Sequence, residues 1–268
     1  MNQFNSDYFI FDGADSEAMG IMMCTIGDGT ENLMMGLSRT PNLSDSIGDI
    51  KILKNITNEY HTFSITLTKV HTLANGKKIL GKFTQQELSY IQKWLFKNEY
   101  KPFIPKYEDK FLIYYVLFTG ETAYFNNANQ GYLTLTMNVY PYAYRNITTK
   151  TITVEQGRTE YSLLNNTNIN GKTPVDVEIK MTEGKGITIT NITNNTSFSI
   201  DNMKRNQSFV IHGQQQYIEN TSKNKSNLYA LSNKSFIELD SGRNDFIIEL
   251  LKDKAEITFK YQSKVAIY

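Results

Sequence analysis

The sequence has 268 residues, with 28 basic and 27 acidic side chains and a formal net charge of +1. At ~100–200 residues per domain, this length predicts two domains, each able to bury its own core. The balanced charge gives no field for nucleic acid, and no apolar run is long enough for a membrane span or a signal peptide, so we expect a soluble protein made in the cytoplasm.

The first half of the chain shows β-strand patterns. Apolar and polar residues alternate from Phe63 to Thr68 and again from Leu133 to Val139, which predicts two strands with one wet face each. Between them, Phe111 to Phe118 is an unbroken apolar run rich in aromatic residues. This run predicts a strand covered on both faces and placed centrally in a sheet.

One segment of the first half has a helical pattern. Thr84 and Glu87 have the spacing of a capping box, and Leu88, Ile91 and Leu95 follow on one helical face. The pattern predicts a helix from Gln85 to Lys97. Its tryptophan, Trp94, could be a ligand platform, but packing beside the apolar stripe is the favoured role.

After Pro141–Tyr144 the sequence becomes polar from Arg145 to Lys150, and the following hundred residues show no helical period. We therefore predict a boundary near residue 147, which divides the chain into domains 1–147 and 148–268. In the second half, turn residues separate short alternating segments, which predicts an antiparallel β-sandwich. The predicted strands are Val175–Met181, Ile187–Thr190, Ser197–Ile200, Ser208–Ile211, Phe236–Leu239, Asp245–Leu251 and Ile257–Tyr261, with Gly184–Gly186 as the turn after the first.

A search for metal and nucleophile chemistry finds no site. None of the three histidines, His61, His71 and His212, has a second histidine at helical spacing or a cysteine beside it. The single cysteine, Cys24, excludes an internal disulfide and is expected to be a small buried residue. Phosphate-binding loops and the serine nucleophile motif are absent.

Acidic pairs give no stronger signal. Glu108 with Asp109 and Asp240 with Asp245 are close in sequence, but any surface with 27 acidic residues contains such pairs. The loop Asp240–Asp245 lacks the spacing of an EF-hand calcium loop, so we interpret it as a tight turn between the strands Phe236–Leu239 and Phe246–Glu249. We therefore predict no catalytic residue, no metal ligand and no cofactor-binding residue.

Several segments, taken in order, resemble the distal tail proteins of long-tailed phages, and the resemblance covers nearly the whole chain. In the first half it rests on Ser16–Cys24, Gln86–Leu95, Tyr107–Asp109, and Gly131–Met137 running into Pro141–Tyr144. In the second half it rests on Asn170–Gly171, Pro174–Ile179, Ile187–Asn191, Phe198–Asp201 and Phe236–Asn244. The chain departs from the family at Gly36 to Asp49, where many members have a basic, glycine-rich loop and this sequence has a polar run.

The resemblance implies a mainly β fold, with an N-terminal β-sandwich-like domain carrying one α-helix and a galectin-like antiparallel β-sandwich at the C-terminus. It also implies a non-enzymatic virion protein of the tail tip that forms a hexameric ring and joins the tail tube to the baseplate or to tail fibre proteins. The implied partners are further copies of the chain, the major tail protein, a tail-associated lysin or tail fibre protein, and a receptor-binding protein. Neither nucleic acid nor membrane is an expected partner.

Two other classes of function compete with this interpretation. A carbohydrate-binding module is the main alternative, because a galectin-like sandwich can hold sugar on a concave face. The second half has no tryptophan, and its candidate stacking residues, Tyr217 and Tyr229, are expected to pack in the core or in loops. A glycosidase or peptidoglycan hydrolase is disfavoured, because no nucleophile and base are recognisable.

Overall fold

The computed structural model describes residues 6–24, 39–44, 52–106, 112–127, 130–183, 185–222 and 227–267. The chain divides into two compact units, Met1–Tyr144 with Ala266–Tyr268, and Arg145–Val265. The predicted fold class is confirmed: the structure is mainly β, its sheets are antiparallel, and the first unit contains one helix among its described residues. Tyr107–Asp109, Phe111 and Gly184, on which predictions from the sequence rest, lie outside the described residues.

The first unit contains ten strands before the domain boundary in its described residues: β1 (Phe9–Phe11), β2 (Ala14–Asp15), β3 (Ile21–Cys24), β4 (Arg39–Ser44), β5 (Ile52–Asn58), β6 (His61–Thr72), β7 (Lys78–Gly81), β8 (Lys101–Pro105), β9 (Ile113–Asn127) and β10 (Gln130–Tyr144). Most of them form one large antiparallel sheet with the strand order β2-β1-β8-β9-β10-β6-β3, and β7 pairs with β6 at its margin. The strands β4 and β5 form a separate two-stranded sheet.

The two alternating segments form strands, as predicted, and the structure shows that these strands are neighbours in the sheet. β6 and β10 pair in antiparallel register, with Leu67 opposite Leu133 and Phe63 opposite Met137. Their apolar side chains are buried, whereas most of the intervening Thr, Ser and Asn side chains reach solvent and hydrogen-bond across the strands. Thr68 is the exception, because it is fully buried and its hydroxyl donates to the Gly131 carbonyl at 3.0 Å.

The apolar run before Phe118 forms a central strand, as predicted, but its two faces differ. β9 is the fourth of seven strands along the sheet. Tyr114, Val116 and Phe118 are buried in the core, whereas Tyr115 and Leu117 on the opposite face are half-buried. The expectation of a strand covered on both faces is therefore wrong for the single chain.

The helix α1 spans Gln85–Leu95, and the predicted capping box at Thr84 and Glu87 is present. The helix ends two residues earlier than the sequence pattern suggested, because Phe96 leaves the helical conformation as its C-cap. Ile91, Trp94 and Leu95 are buried, whereas Leu88 is only partly buried against the same core. The helix thus covers the sheet with one apolar face.

The C-terminus of the chain returns to the first unit. The last strand, β20, is Lys264–Ala266, and Ala266 and the residues after it belong to the first unit. The side chain of Ile267 is 4% exposed and lies in the first unit's core with Phe9 and Phe11. The core of the first unit is therefore completed by residues from the opposite end of the sequence.

We expect Ile267→Ala to lower the free energy of unfolding of the first unit by about 2 kcal/mol, because a buried aliphatic side chain leaves a cavity that the nearby chain end partly refills. Urea unfolding followed by the fluorescence of the single tryptophan, Trp94, measures that unit. Ile79→Ala is the control, because Ile79 is 41% exposed on β7 of the same unit. Equal effects of the two substitutions would contradict the placement of Ile267.

The second unit is a curled antiparallel sheet in the order β15-β14-β19-β13-β16-β17, with β11 on the other side of β19 and a small pair β12-β18. The strands are β11 (Thr148–Asn165), β12 (Thr173–Pro174), β13 (Asp176–Met181), β14 (Gly186–Asn191), β15 (Thr196–Asp201), β16 (Gln207–His212), β17 (Tyr217–Asn220), β18 (Glu238–Leu239) and β19 (Gly242–Tyr261). A four-residue helix, α2 (Leu228–Leu231), was not predicted.

The long strand β19 organises the second unit and corrects two expectations. The predicted strands Asp245–Leu251 and Ile257–Tyr261 are parts of this one strand, which pairs with β14 near its start and with β13 near its end. The hairpin expected around Asp240–Asp245 is also wrong, because Glu238–Leu239 pairs with Thr173–Pro174 and not with β19. A register shift between Glu155 and Gly157 lets β11 follow β19 along its length.

Candidate functional site

The hairpin formed by β4 and β5 is the first candidate for a functional surface. No other described strand pairs with it. Residues that face each other across two antiparallel strands lie on the same side of the sheet. One side, which we call the apolar face of the hairpin, therefore carries the residues Pro41, Leu43, Leu53 and Ile56 with Arg39 at its end.

The other side of the hairpin is mostly polar and internally bonded. Asn42 donates from its side-chain amide to Asn55 Oδ1 at 2.6 Å and to Thr57 Oγ1 at 3.0 Å. Leu43, Leu53 and Ile56 on the apolar face are 46%, 51% and 46% exposed. An isolated two-stranded hairpin is marginally stable in water, so an apolar face this exposed calls for a partner.

The second candidate is a group of tyrosines on the half-buried face of the first unit's sheet, which we call the tyrosine cluster. Its members are Tyr60, Tyr100, Tyr115, Tyr140 and Tyr144. The Tyr140 ring contacts three of the others, with ring centroids 4.5 Å from Tyr100 and 5.7 Å from Tyr60 and from Tyr115. The cluster therefore joins residues from β9, β10 and the segments that precede β6 and β8.

A bulge in β10 and a hydrogen bond from the end of the hairpin lie beside the tyrosine cluster in the sequence. The register between β9 and β10 shifts between Val139 and Ala143, which separates Tyr140 from the regular ladder. Asn58, at the end of β5, donates a hydrogen bond to the Tyr142 hydroxyl. Burial raises the pKa of Tyr144 to about 12, so this phenol is neutral at physiological pH.

The histidines differ from one another in their surroundings, and the structure does not bring them together. His71 is exposed on β6, and His212 stacks on Tyr217 with ring centroids 4.3 Å apart. His61 is 2% exposed, stacks on Phe63, and neither of its ring nitrogens has a hydrogen-bond partner. Burial lowers the pKa of His61.

The buried His61 makes the stability of the first unit pH-dependent. Its folded-state pKa is below the unfolded value of about 6.5, so the unfolded chain binds the proton first and stability falls as the pH decreases through that value. We expect His61→Gln to reduce this loss of stability between pH 7 and pH 5 in Trp94-detected urea unfolding. His71→Gln is the matched control, and an unchanged pH profile for His61→Gln would refute the assignment.

The remaining sequence-predicted residues take structural positions. Trp94 packs as expected: it is 7% exposed, stacks on Phe9 at 5.5 Å, and its indole N–H donates to the Phe11 carbonyl at 3.1 Å. Cys24 is half-buried instead of fully buried, and burial raises its pKa to about 11. The described residues contain no group of three or more His, Cys, Asp or Glu side chains placed to hold a metal ion.

The candidate sugar-stacking residues of the second unit are surface residues, contrary to expectation. Tyr217 is 45% exposed on β17, and Tyr229 is 43% exposed in α2 with Lys234 Nζ 5.7 Å from its ring centroid.

Asp240 and Asp245 have different hydrogen-bond partners. The Asp245 side chain accepts hydrogen bonds from Ser162 and Arg243, whereas the Asp240 backbone N–H donates to Asn244 Oδ1.

No helix in the described part of the chain is long and apolar enough to cross a bilayer.

Neither candidate surface was predicted from the sequence. Of the segment Gly36–Asp49, only residues 39–44 are described, and they form β4. Leu43, Leu53 and Ile56 carry a weak alternating signal that a bulge at Lys54 interrupts. The tyrosine cluster has one local signal, the segment Pro141–Tyr144, but the other members come from distant strands.

Comparisons with known proteins agree on the type of protein. Residues 4–139 match the family described as "Phage tail protein N-terminal domain", and residues 142–261 match that described as "Phage tail C-terminal domain". A search of curated proteins finds no relative of this sequence.

Among solved structures, the Dit protein of phage SPP1, described as a paradigm of the hub adsorption apparatus in phages that infect Gram-positive bacteria, superposes with a TM-score of 0.66. It is 11% identical and the match covers 95% of this chain and 98% of that one. A chain of the phage P2 baseplate in its activated conformation matches at 11% identity over 96% and 97% of the two chains, with a TM-score of 0.47. The predicted resemblance to distal tail proteins is confirmed, and because the two matched domains span residues 4–139 and 142–261, the chain belongs to this family of phage tail proteins.

Proposed function

We propose that this chain is a distal tail protein whose copies assemble head to tail into a closed, hexameric ring at the tip of the tail. The ring joins the tail tube, made of the major tail protein, to the baseplate, to a tail-associated lysin or to tail fibre proteins. The role is structural and not catalytic. Family membership and the fold shared with SPP1 Dit support the tail location.

The observation that carries the ring proposal is the exposed apolar face of the hairpin. A ring of identical subunits uses a heterologous contact, in which one surface of each copy meets a different surface of the next. The hairpin presents three large aliphatic side chains, each about half exposed, and no other described strand pairs with its two strands. Burying those side chains against a neighbouring copy removes apolar area from water and drives association.

We expect Leu43→Ser combined with Leu53→Ser to keep the protein monomeric where the wild type forms rings. Burial of a fully exposed leucine contributes about 1.5–3 kcal/mol, and these two are already about half buried in the single chain, so losing both weakens association by roughly 10- to 100-fold. Light scattering after size exclusion, native mass spectrometry and negative-stain images measure the assembly over a concentration series. Leu73→Ser is the matched control, because Leu73 is 42% exposed on another loop of the same unit.

The ring proposal fails if the wild type never associates, either alone or with purified major tail protein. It is also contradicted if the control and the hairpin variant weaken association equally.

We further propose that the first unit carries ring assembly and that the second unit docks other tail proteins, and this division is tested on the full chain. Substitutions of Tyr217 or Tyr229 in the second unit should leave the ring intact, and a cell-wall zymogram tests for hydrolase activity directly.

A further inference from the structure

The chain contains two Asn-Gly dipeptides, Asn75–Gly76 in the first unit and Asn170–Gly171 in the second. An asparagine before a glycine can cyclise readily, because glycine has no Cβ to hinder the approach of its backbone nitrogen to the asparagine side chain. Both dipeptides are exposed, and a lysine follows each of them. Their local sequences are therefore alike, but the hydrogen bonds around them are not.

The first dipeptide is held in the tight turn between β6 and β7. The Gly76 N–H donates to the Leu73 carbonyl at 2.8 Å, and the Leu73 N–H donates to the Lys77 carbonyl at 2.9 Å. The Asn75 side chain is also engaged, because its Oδ1 accepts from the Lys77 N–H at 3.0 Å. A reaction between the Gly76 nitrogen and the Asn75 side chain would have to break a hydrogen bond of each group.

The second dipeptide lies in the loop between β11 and β12. Among the residues that the structure describes, none hydrogen-bonds to the Gly171 N–H or to the Asn170 side chain. Gly171 has a φ of +129°, and nothing lies within 4 Å of the place that a Cβ would take. The loop is anchored on either side instead, by the buried Ile169 and by Thr173, whose hydroxyl accepts from Asn165 Nδ2 at 3.0 Å.

We propose that Asn170 is a site of spontaneous deamidation, whereas Asn75 is protected by its turn. The Gly171 nitrogen gives its proton to solvent and forms a bond to Cγ of Asn170, and the Cγ–Nδ2 bond breaks. The side-chain nitrogen takes up a proton and leaves as ammonia, so the product is a cyclic imide. One water molecule then opens either C–N bond of the imide ring and yields aspartate or isoaspartate. The reaction needs water alone, and it does not depend on the proposed ring function.

The modification changes both the charge and the backbone of this loop. Either product carries a carboxylate, which lowers the formal net charge of +1 by one unit. Lys172 Nζ lies 3.2 Å from Glu238 Oε2, so the new carboxylate two residues away competes for the same ammonium group. Isoaspartate also adds a methylene to the main chain just before Thr173–Pro174, the strand β12 that pairs with β18. The reaction therefore alters the attachment of β12 to the second unit.

Timed incubation of the full chain at mildly alkaline pH, followed by peptide mapping with mass spectrometry, tests this inference. The mass gained when the amide becomes a carboxyl is followed at both asparagines of the same sample. Asn170 should react about tenfold faster than Asn75 or more, because the turn must lose two hydrogen bonds before it reacts. The rate at Asn170 should rise with pH, because the attacking nitrogen must first lose its proton.

The denatured chain and one variant are the controls. In guanidinium the turn is lost, so the two asparagines should react at similar rates, and a difference that persists there would overturn the inference by assigning it to the flanking residues. Asn170→Gln should abolish the acidic form on isoelectric focusing, because glutamine would have to close a larger ring. Equal rates at the two sites of the folded chain, or a faster reaction at Asn75, would also overturn the inference, and neither result bears on ring formation.

Discussion

Replacing Leu95 by alanine is expected to destabilise the first unit by about 3–5 kcal/mol. Leu95 is fully buried in the last turn of α1, in the same core as Phe9 and Phe103. Its truncation removes transfer free energy and leaves a cavity between the helix and the sheet. The expected cost lies in the upper part of the range for such substitutions, because the rigid aromatic rings around the site limit its collapse.

The matched control lies on the same helix. Gln92 is exposed, so Gln92→Ala changes neither the core nor a cap and should alter the free energy of unfolding by less than about 0.5 kcal/mol. Urea titration followed by Trp94 fluorescence reports both variants, since the indole stacks on Phe9 inside the perturbed core. Similar losses for the two variants would mean that α1 does not pack on the sheet through Leu95.

Local patterns in the sequence were enough to predict the elements that depend on interactions within one short segment. The capping box at Thr84 and Glu87 depends on residues three positions apart, and the structure contains both of its hydrogen bonds. The strands around Ile65 and Leu135 alternate strictly because one face of each is buried. In both cases the determining interactions lie within one element, so the residues along a short segment contain the needed information.

Longer-range features could not be predicted in the same way. A single strand from Gly242 to Tyr261 was interpreted as two strands, because polar residues at Lys252 and Lys254 resemble a turn in a linear pattern. Its continuity depends on pairing with β11, a strand with too many exposed residues to show a clear alternation. The return of Ile267 to the first core depends on the tertiary fold alone.

The candidate functional surfaces also depend on long-range contacts that the sequence alone does not reveal. The sequence could be searched for motifs of titratable groups and metal ligands, and that search found none, whereas the resemblance to tail proteins rests on other segments. It could not reveal the tyrosine cluster, because its contacts depend on the bulge after Val139 and on the alignment of Tyr115 with β10. It could not reveal the apolar face of the hairpin either, because the bulge at Lys54 decides which residues share that face.

The second unit has a buried polar centre that should be as sensitive to substitution as the core of the first. Asn244 is fully buried, and its side-chain amide makes four hydrogen bonds. Its Oδ1 accepts from Asn191 Nδ2 and from the Asp240 N–H, each at 2.9 Å. Its Nδ2 donates to the carbonyls of Asp240 at 2.9 Å and Gly242 at 3.1 Å. This one side chain therefore closes the loop before β19 and ties it to β14.

We expect Asn244→Leu to destabilise the second unit by roughly 2–5 kcal/mol. Leucine fills a similar volume but leaves the Asp240 N–H and the Gly242 carbonyl without this partner, and each buried group left unpaired costs about 1–3 kcal/mol. Hydrogen exchange of the β14 and β19 amides, measured by mass spectrometry, locates the loss in this unit. Asn166→Leu is the control, since Asn166 is exposed, and it should leave the exchange rates unchanged.

Asn244→Asp distinguishes lost hydrogen bonds from lost packing, because it keeps the shape of the side chain. Its second oxygen would face the Asp240 and Gly242 carbonyls that now accept from Nδ2, so the ionised form is disfavoured and the folded-state pKa of the new carboxyl is raised. The folded protein then holds the proton more tightly than the unfolded chain, and stability falls as the pH rises above about 4. Asn244→Asp should therefore be less stable at pH 7 than at pH 4.5 relative to the wild type, whereas the deficit of Asn244→Leu should not vary with pH. An aspartate variant with no pH-dependent deficit would show that the buried amide network is not what holds this loop.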